Sequence, residues 1–172
     1  MRISKLVISV LLCGIFAFFT SCKNGGEEPE PTYSGTIKLE GVTYNISTAM
    51  IQTISDFEET NASVSLTSVS MSGKTITVQL ALTFPTSEGI SGIYPLETSY
   101  SDVRYLNAWM TNYMVMSGMM NFESYNDLVS GTASIADKGS NKFDISFKFK
   151  PRNGAEIEGT YSGSVIKQSM GF

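Results

Sequence analysis

The chain has 172 residues, with 12 Lys plus Arg, 16 Asp plus Glu, two Cys, one Trp and no His, for a formal charge of −4. Lacking imidazole, it excludes Ser/His/Asp and Cys/His nucleophile pairs, histidine-ligated zinc and a histidine pH switch. The acidic balance, with a pI near 4.8, excludes nucleic acid as a partner, because that binding is dominated by Lys and Arg on phosphates.

In chain order, the first element is an address. Arg2 and Lys5 make a basic start, and Leu6 to Phe19 form an uncharged apolar run ending at Thr20-Ser21-Cys22. At 14 residues this run is shorter than the roughly 20 that a spanning helix needs, so residues 1–21 read as a signal peptide that is removed. Ser21 and Cys22 resemble the lipobox of bacterial lipoproteins, although Phe19 and Thr20 are not its commonest residues. Cys13 follows the bulky Leu12 inside the apolar run and is the weaker candidate. The resemblance implies lipid attachment at Cys22 and, through that lipid, a membrane partner. With Cys22 committed, the mature body has no thiol for disulfides, catalysis or metal.

Residues 22–32 then read as a lipidated cysteine and a flexible acidic linker. Lys23 to Thr32 carries no apolar side chain to bury, and these ten residues reach up to about 35 Å. Glu27, Glu28 and Glu30 resemble the export signal of Bacteroidetes-type surface lipoproteins. That likeness implies an outer-membrane location, with surface exposure favoured over the periplasm.

Residues 33–172 read as a single β domain. Ile76, Val78, Leu80, Leu82 and Phe84 alternate with polar or small residues, as do Phe143, Ile145, Phe147 and Phe149. That period of two predicts strands with one buried face. Further strands are expected over Thr36–Leu39, Val42–Ser47, Ser63–Met71, Leu128–Ala136 and Glu156–Ile166. Glu40-Gly41, Ser72-Gly73, Lys138-Gly139 and Asn153-Gly154 read as the hairpin turns between them. Lys148 is expected opposite Glu158 and Lys150 opposite Glu156, which puts Phe149 beside Ile157 and requires a connection of three or five residues. The fold class is all-β: an antiparallel sandwich or lipocalin-like barrel built largely of sequential hairpins.

The stretch 99–126 is ambiguous. Val103, Leu106, Met110, Tyr113 and Met114 would share a helical face with Ser101 as N-cap, whereas Tyr113–Met116, Ser117-Gly118 and Met119–Phe122 read as a hairpin. The β surroundings favour strands. Here also lies the candidate binding site: Tyr100, Tyr105, Asn107, Trp109, Asn112, Tyr113 and Tyr125, rings with polar edges beside amides that suit a sugar or a protein surface. The competing reading is that these rings fill the core.

Other motifs have bland readings. Glu156 and Glu158 share a strand face but have lysine partners. Ser164-Val165-Ile166-Lys167 has the Ser-x-x-Lys spacing of penicillin-recognising enzymes with no companion motif. Asp137 to Asn141 and Asp144 lack the spacing of a calcium loop. Asn45-Ile46-Ser47 and Asn61-Ala62-Ser63 match a glycosylation pattern that carries little weight in a bacterial-looking chain.

The turn and strand segments Gly35 to Ile46, Gly92-Ile93-Tyr94-Pro95-Leu96, Ser130 to Ile135 and Gly159 to Gly163 resemble small all-β Bacteroidetes-type lipoproteins of unknown function. That resemblance implies no activity. The expectation is a lipid-anchored, non-enzymatic binding module for a glycan or protein, without cofactor or metal. An envelope or fimbrial subunit, a barrel carrying an apolar ligand and a carboxylate-only hydrolase are the alternatives.

Overall fold

A computed structural model describes residues 34–97, 103–118 and 121–170. Tyr100 and Ser101 lie outside the described residues, as do Cys22 and the segment before residue 34. The domain is a β-sandwich of two sheets, and it is not a closed barrel.

Thirteen strands are described: β1 (Ser34–Leu39), β2 (Val42–Asn45), β3 (Thr48–Ser55), β4 (Glu59–Val69), β5 (Lys74–Pro85), β6 (Gly92–Pro95), β7 (Tyr105–Leu106), β8 (Asn112–Ser117), β9 (Asn121–Tyr125), β10 (Leu128–Asp137), β11 (Lys142–Pro151), β12 (Ile157–Ser164) and β13 (Ile166–Met170). Sheet A has the order β2-β1-β12-β11-β10-β6. Sheet B has the order β13-β3-β4-β5-β8-β9, with β7 beside β5.

The chain changes sheet where an apolar residue plugs the corner. Ile46, 4% exposed, bonds Gly35 through its N–H at 2.9 Å, and the next residue, Ser47, donates to the Thr67 carbonyl at 2.8 Å. Val165, also buried, carries the chain out of β12 into β13. The stretch expected as one strand over Glu156–Ile166 is therefore two strands in different sheets. Because the chain changes sheet without reversing, β13 pairs parallel to β3, so sheet B is mixed.

The two sheets cross. At one end of β5 the Lys74 ammonium donates to the Tyr44 hydroxyl of β2 at 3.2 Å. At the other end the Phe84 ring meets Tyr94 of β6 at 6.2 Å. Since β2 and β6 are opposite edges of sheet A, β5 spans that sheet from edge to edge, as in crossed sheet packings. Between the sheets, Ile76, Val78, Leu80, Leu82 and Phe84 face Ile37, Ile145, Phe147 and Tyr161, all nearly without exposure.

Turn chemistry follows the sequence. Glu40 and Gly41 both take positive φ, 52° and 79°, as a two-residue hairpin turn demands. Lys148 opposes Glu158 and Phe149 opposes Ile157. Five residues, 152–156, connect β11 to β12. Lys150 is paired with Ser130, and Glu156 instead reaches Lys148 at 2.8 Å.

Sheet A has a second packing device: Gly35, Gly131 and Gly159 each lie directly across from an aromatic residue, Tyr161, Phe149 and Phe147 respectively. At Gly35 and Gly159 a ring atom stands where a Cβ would otherwise lie, and at Gly131 the Phe149 Cβ does.

Candidate functional site

The ambiguous stretch is strand, turn and hairpin. β5 is flanked by β8 over Lys74–Gln79 and by β7 at Leu82–Thr83, and the chain between them loops out as one tight turn. The Asn107 side-chain carbonyl accepts the N–H groups of Trp109 and Met110, each at 3.1 Å, and the Asn107 backbone carbonyl accepts that of Thr111 at 3.0 Å. The Thr111 hydroxyl, fully buried, then accepts the Ala81 N–H at 3.0 Å and fills the interrupted ladder. Of the helical face considered over Val103 to Met114, only this single helix-like turn at 107–111, held by an Asx cap, forms.

That turn divides the candidate residues. Trp109 is displayed at its apex, 71% exposed. Tyr105 is half-buried on β7. Asn107 is spent on the cap. Asn112 bonds the Met110 carbonyl at 3.0 Å and Gln79 at 3.4 Å, while its own buried Oδ1 has no partner. Its neighbour Tyr113 points the other way, into the core at 2% exposure, and stacks on Tyr125 at 4.7 Å. The Tyr113 hydroxyl accepts the Ala155 N–H at 3.1 Å and so holds the 152–156 connection. Strand alternation thus places Asn112 and Tyr113 on opposite faces of sheet B, and the six described candidates do not converge on one surface.

Burial pushes the Tyr94 and Tyr113 hydroxyls up to about 12, with the Arg104 charge partly opposing this at Tyr94 and the Ala155 hydrogen bond at Tyr113. The folded state therefore favours the neutral phenols. Their stabilisation is complete below the ordinary value of 10 and is lost as pH rises from there toward 12. Ultraviolet titration should show Tyr94 and Tyr113 ionising late, together with loss of structure. Ordinary midpoints for all the tyrosines would contradict this packing.

A concave feature lies elsewhere, on the solvent face of sheet A: a shallow trough of about 380 Å³. The registers set out its floor as two ladders. One runs Thr36, Thr160, Ser146, Ser134 across four adjacent strands, and the other Thr43, Lys38, Glu158, Lys148, Thr132 across five. Neighbouring strands lie about 4.8 Å apart, so the four hydroxyls of the first ladder span about 14 Å. Lys38 and Lys148 flank Glu158 at 3.4 and 3.7 Å. Hydrogen bonding to Glu156 holds the Lys148 ammonium above its usual range.

The outer faces of the two sheets treat their polar groups differently. On sheet B most of these groups satisfy one another, the Asn112 Oδ1 aside: Thr67 with Thr77 at 3.2 Å, Gln79 with Ser63 at 3.0 Å, Thr83 with Asn61 at 2.9 Å and Gln52 with Gln168 at 2.8 Å. In the trough, the hydroxyls of Thr36, Thr160, Ser146, Ser134 and Thr132 have no protein partner among the described residues. Short side chains on a flat sheet leave room above them, and their donors and acceptors face outward.

The carboxylates considered from sequence have cationic or hydroxyl partners. Lys148 takes Glu156 and Glu158, Lys167 takes Asp137 at 3.4 Å, and Asp144 accepts from Ser162 at 2.7 Å and pairs with Lys138 at 3.1 Å. Those bonds, the Ser162 hydroxyl first and Lys138 second, hold Asp144 below the usual carboxylate range. Lys167 of the Ser-x-x-Lys sequence also lies 4.6 Å over the Phe143 ring, committed to Asp137 and to packing. Sequence reasoning did not find the trough. Its signal was the run of Thr and Ser at the outward positions of β1, β10, β11 and β12.

Comparison with family models, with curated proteins and with solved structures finds no match for this chain.

Proposed function

We propose that this chain is a lipid-anchored envelope lipoprotein of the outer membrane, displayed at the surface, that binds a hydroxyl-rich ligand, a glycan, without chemical turnover. The anchor reading rests on the basic start, the short apolar run ending at Ser21-Cys22 and the acidic linker that precedes the β domain. The observation that carries the binding reading is the trough: a row of partnerless hydroxyls beside a Lys-Glu-Lys ladder. An extended sugar chain laid across the strands meets a fresh donor and acceptor at each one. The neighbouring ammonium and carboxylate groups add charge-assisted hydrogen bonds.

Two measurements test it. Radiolabelled palmitate should mark the wild-type chain in cells and leave Cys22→Ala unmarked. On a glycan array, the purified mature chain carrying Cys22→Ala should bind a defined set of sugars, and Ser146→Tyr, which fills the middle of the trough from an exposed position, should lower that binding at least about tenfold. Trp109→Ala should leave it intact. Undiminished binding by a folded Ser146→Tyr protein rules out the trough, and loss with Trp109→Ala moves the site to the β7–β8 turn.

A further inference from the structure

One end of sheet B is apolar in a way its opposite end is not. The registers align Val69, Thr75, Met116 and Phe122 as a single outward row across β4, β5, β8 and β9. Val69 is 59% exposed and Phe122 60%, and Met71, at the tip of the β4–β5 hairpin, is fully exposed. Asn61 to Gly73 and Asn112 to Phe122 contain no charged residue. Two charges border it: Lys74, 5.4 Å over the Tyr44 ring at the rim, and Glu123, which follows Phe122, points to the opposite face of β9 and accepts the Tyr125 hydroxyl at 2.7 Å. At the other end of the same sheet, the equally exposed Phe57 stands among Asp56, Glu58 and Glu59, with Asp56 capping the Glu58 and Glu59 N–H groups.

The apolar end is also where the chain joins the domain. Ser34 precedes Gly35, whose carbonyl takes the Ile46 N–H; Ser47 donates to Thr67, and Val69 is two residues further along β4. All eight residues of β3 separate that junction from the Phe57 turn, about 27 Å along the strand. The first described residue, Ser34, therefore lies at the end of the domain that carries the Val69–Phe122 row.

We propose that this row, with Met71, is a lipid-contacting surface that rests on the bilayer to which Cys22 is anchored. The proposal depends on the anchoring reading above. Four apolar side chains bind a bilayer only marginally by themselves, but a tether of about 35 Å supplies the effective concentration that makes weak contact persist. The contact turns a loosely tethered domain into one of fixed orientation, with the acidic Phe57 turn directed away from the lipid.

The test imposes the tether chemically, so it does not depend on whether the cell acylates Cys22. The described core lies wholly between Ile37 and Val165, so the chain from Cys22 onward carries every one of its residues. Its single thiol is coupled to a maleimide-headgroup phospholipid in phosphatidylcholine vesicles with brominated acyl chains. In a Trp109→Phe background, Phe122→Trp and Phe57→Trp each supply one reporter. The expected result is that the tryptophan of Phe122→Trp loses about half of its fluorescence to the bromines while that of Phe57→Trp is unchanged. No quenching in the Phe122→Trp protein, or equal quenching in both, overturns the proposal. Failure of the palmitate labelling would instead remove the anchor and leave this surface to be judged by the vesicles alone.

Discussion

Gly159→Ala should be among the most destabilising single substitutions in the domain, costing about 3 kcal/mol and lowering Tm by on the order of 10 °C. β12 is held between β1 and β11, so its backbone cannot retreat to either side. A Cβ built on Gly159 would lie 2.6 Å from the Phe147 ring and 2.6 Å from the Thr36 carbonyl oxygen. The first obstacle is a side chain; the second is backbone. The double variant Phe147→Leu/Gly159→Ala should therefore recover only part of the stability lost by Gly159→Ala alone, because the clash with Thr36 persists. A Tm for Gly159→Ala within about 2 °C of the parent would mean that the ring does not cover this glycine.

The glycine–aromatic pairing shows what was legible and what was not. Phe143 to Phe149 revealed β11 because every second residue is an aromatic or branched apolar, and no other period accounts for that. The register with β12 followed from keeping Phe149 and Ile157 on one face while opposing Lys148 to Glu158, and the structure has that pairing. The isolated glycines inside these strands were visible too, and they mark places where a ring approaches the backbone. Thr48 to Ser55, by contrast, was not read as a strand. Its inward residues Ala49 and Ile51 alternate with Met50, Gln52 and Ile54, and with apolar side chains on both faces the pattern has no clear period. β13 was hidden for a different reason: nothing local distinguishes Val165 as the residue at which a strand leaves one sheet for another.

The site was harder to read than the fold. Trp109, Asn112 and Tyr113 sit within five residues, and composition alone treats them as one cluster. Which of them share a surface depends on the backbone between them. The Asn107 cap throws Trp109 outward, and strand alternation then sends Asn112 and Tyr113 to opposite faces. The trough is assembled from five strands drawn from positions 36 to 160, so no window of sequence contains it.

Arg104 illustrates the same limit at a larger energetic scale, and Arg104→Ala should cost about 3 kcal/mol. Its side chain is only 14% exposed. One guanidinium nitrogen donates to the Tyr94 hydroxyl at 2.8 Å and the Gly89 carbonyl at 3.1 Å, and the other pairs with Glu88 at 3.0 Å. Its plane also lies 5.5 Å from the Phe84 ring and 5.2 Å from that of Tyr94. Phe84 belongs to sheet B and Tyr94 to sheet A, so the cation is stacked across the seam between the sheets. Tyr94 in turn donates to the Ile90 carbonyl, which ties the 86–92 connection to the same cluster. Gly92 leaves the room: a Cβ there would stand 2.8 Å from the Arg104 Cδ. Lysine keeps the charge but cannot present a planar fork to a carbonyl, a hydroxyl and a carboxylate at once, so Arg104→Lys should lose most of what Arg104→Ala loses. Glu88→Gln should cost under about 1 kcal/mol, because that carboxylate is 56% exposed and solvent can replace its partner. Denaturant unfolding gives the three values, and amide exchange over residues 86–92 locates them. Fast exchange confined to that connection in Arg104→Ala is the expected pattern, and a stability loss for Arg104→Ala no greater than for Glu88→Gln would reduce the cluster to a surface ion pair.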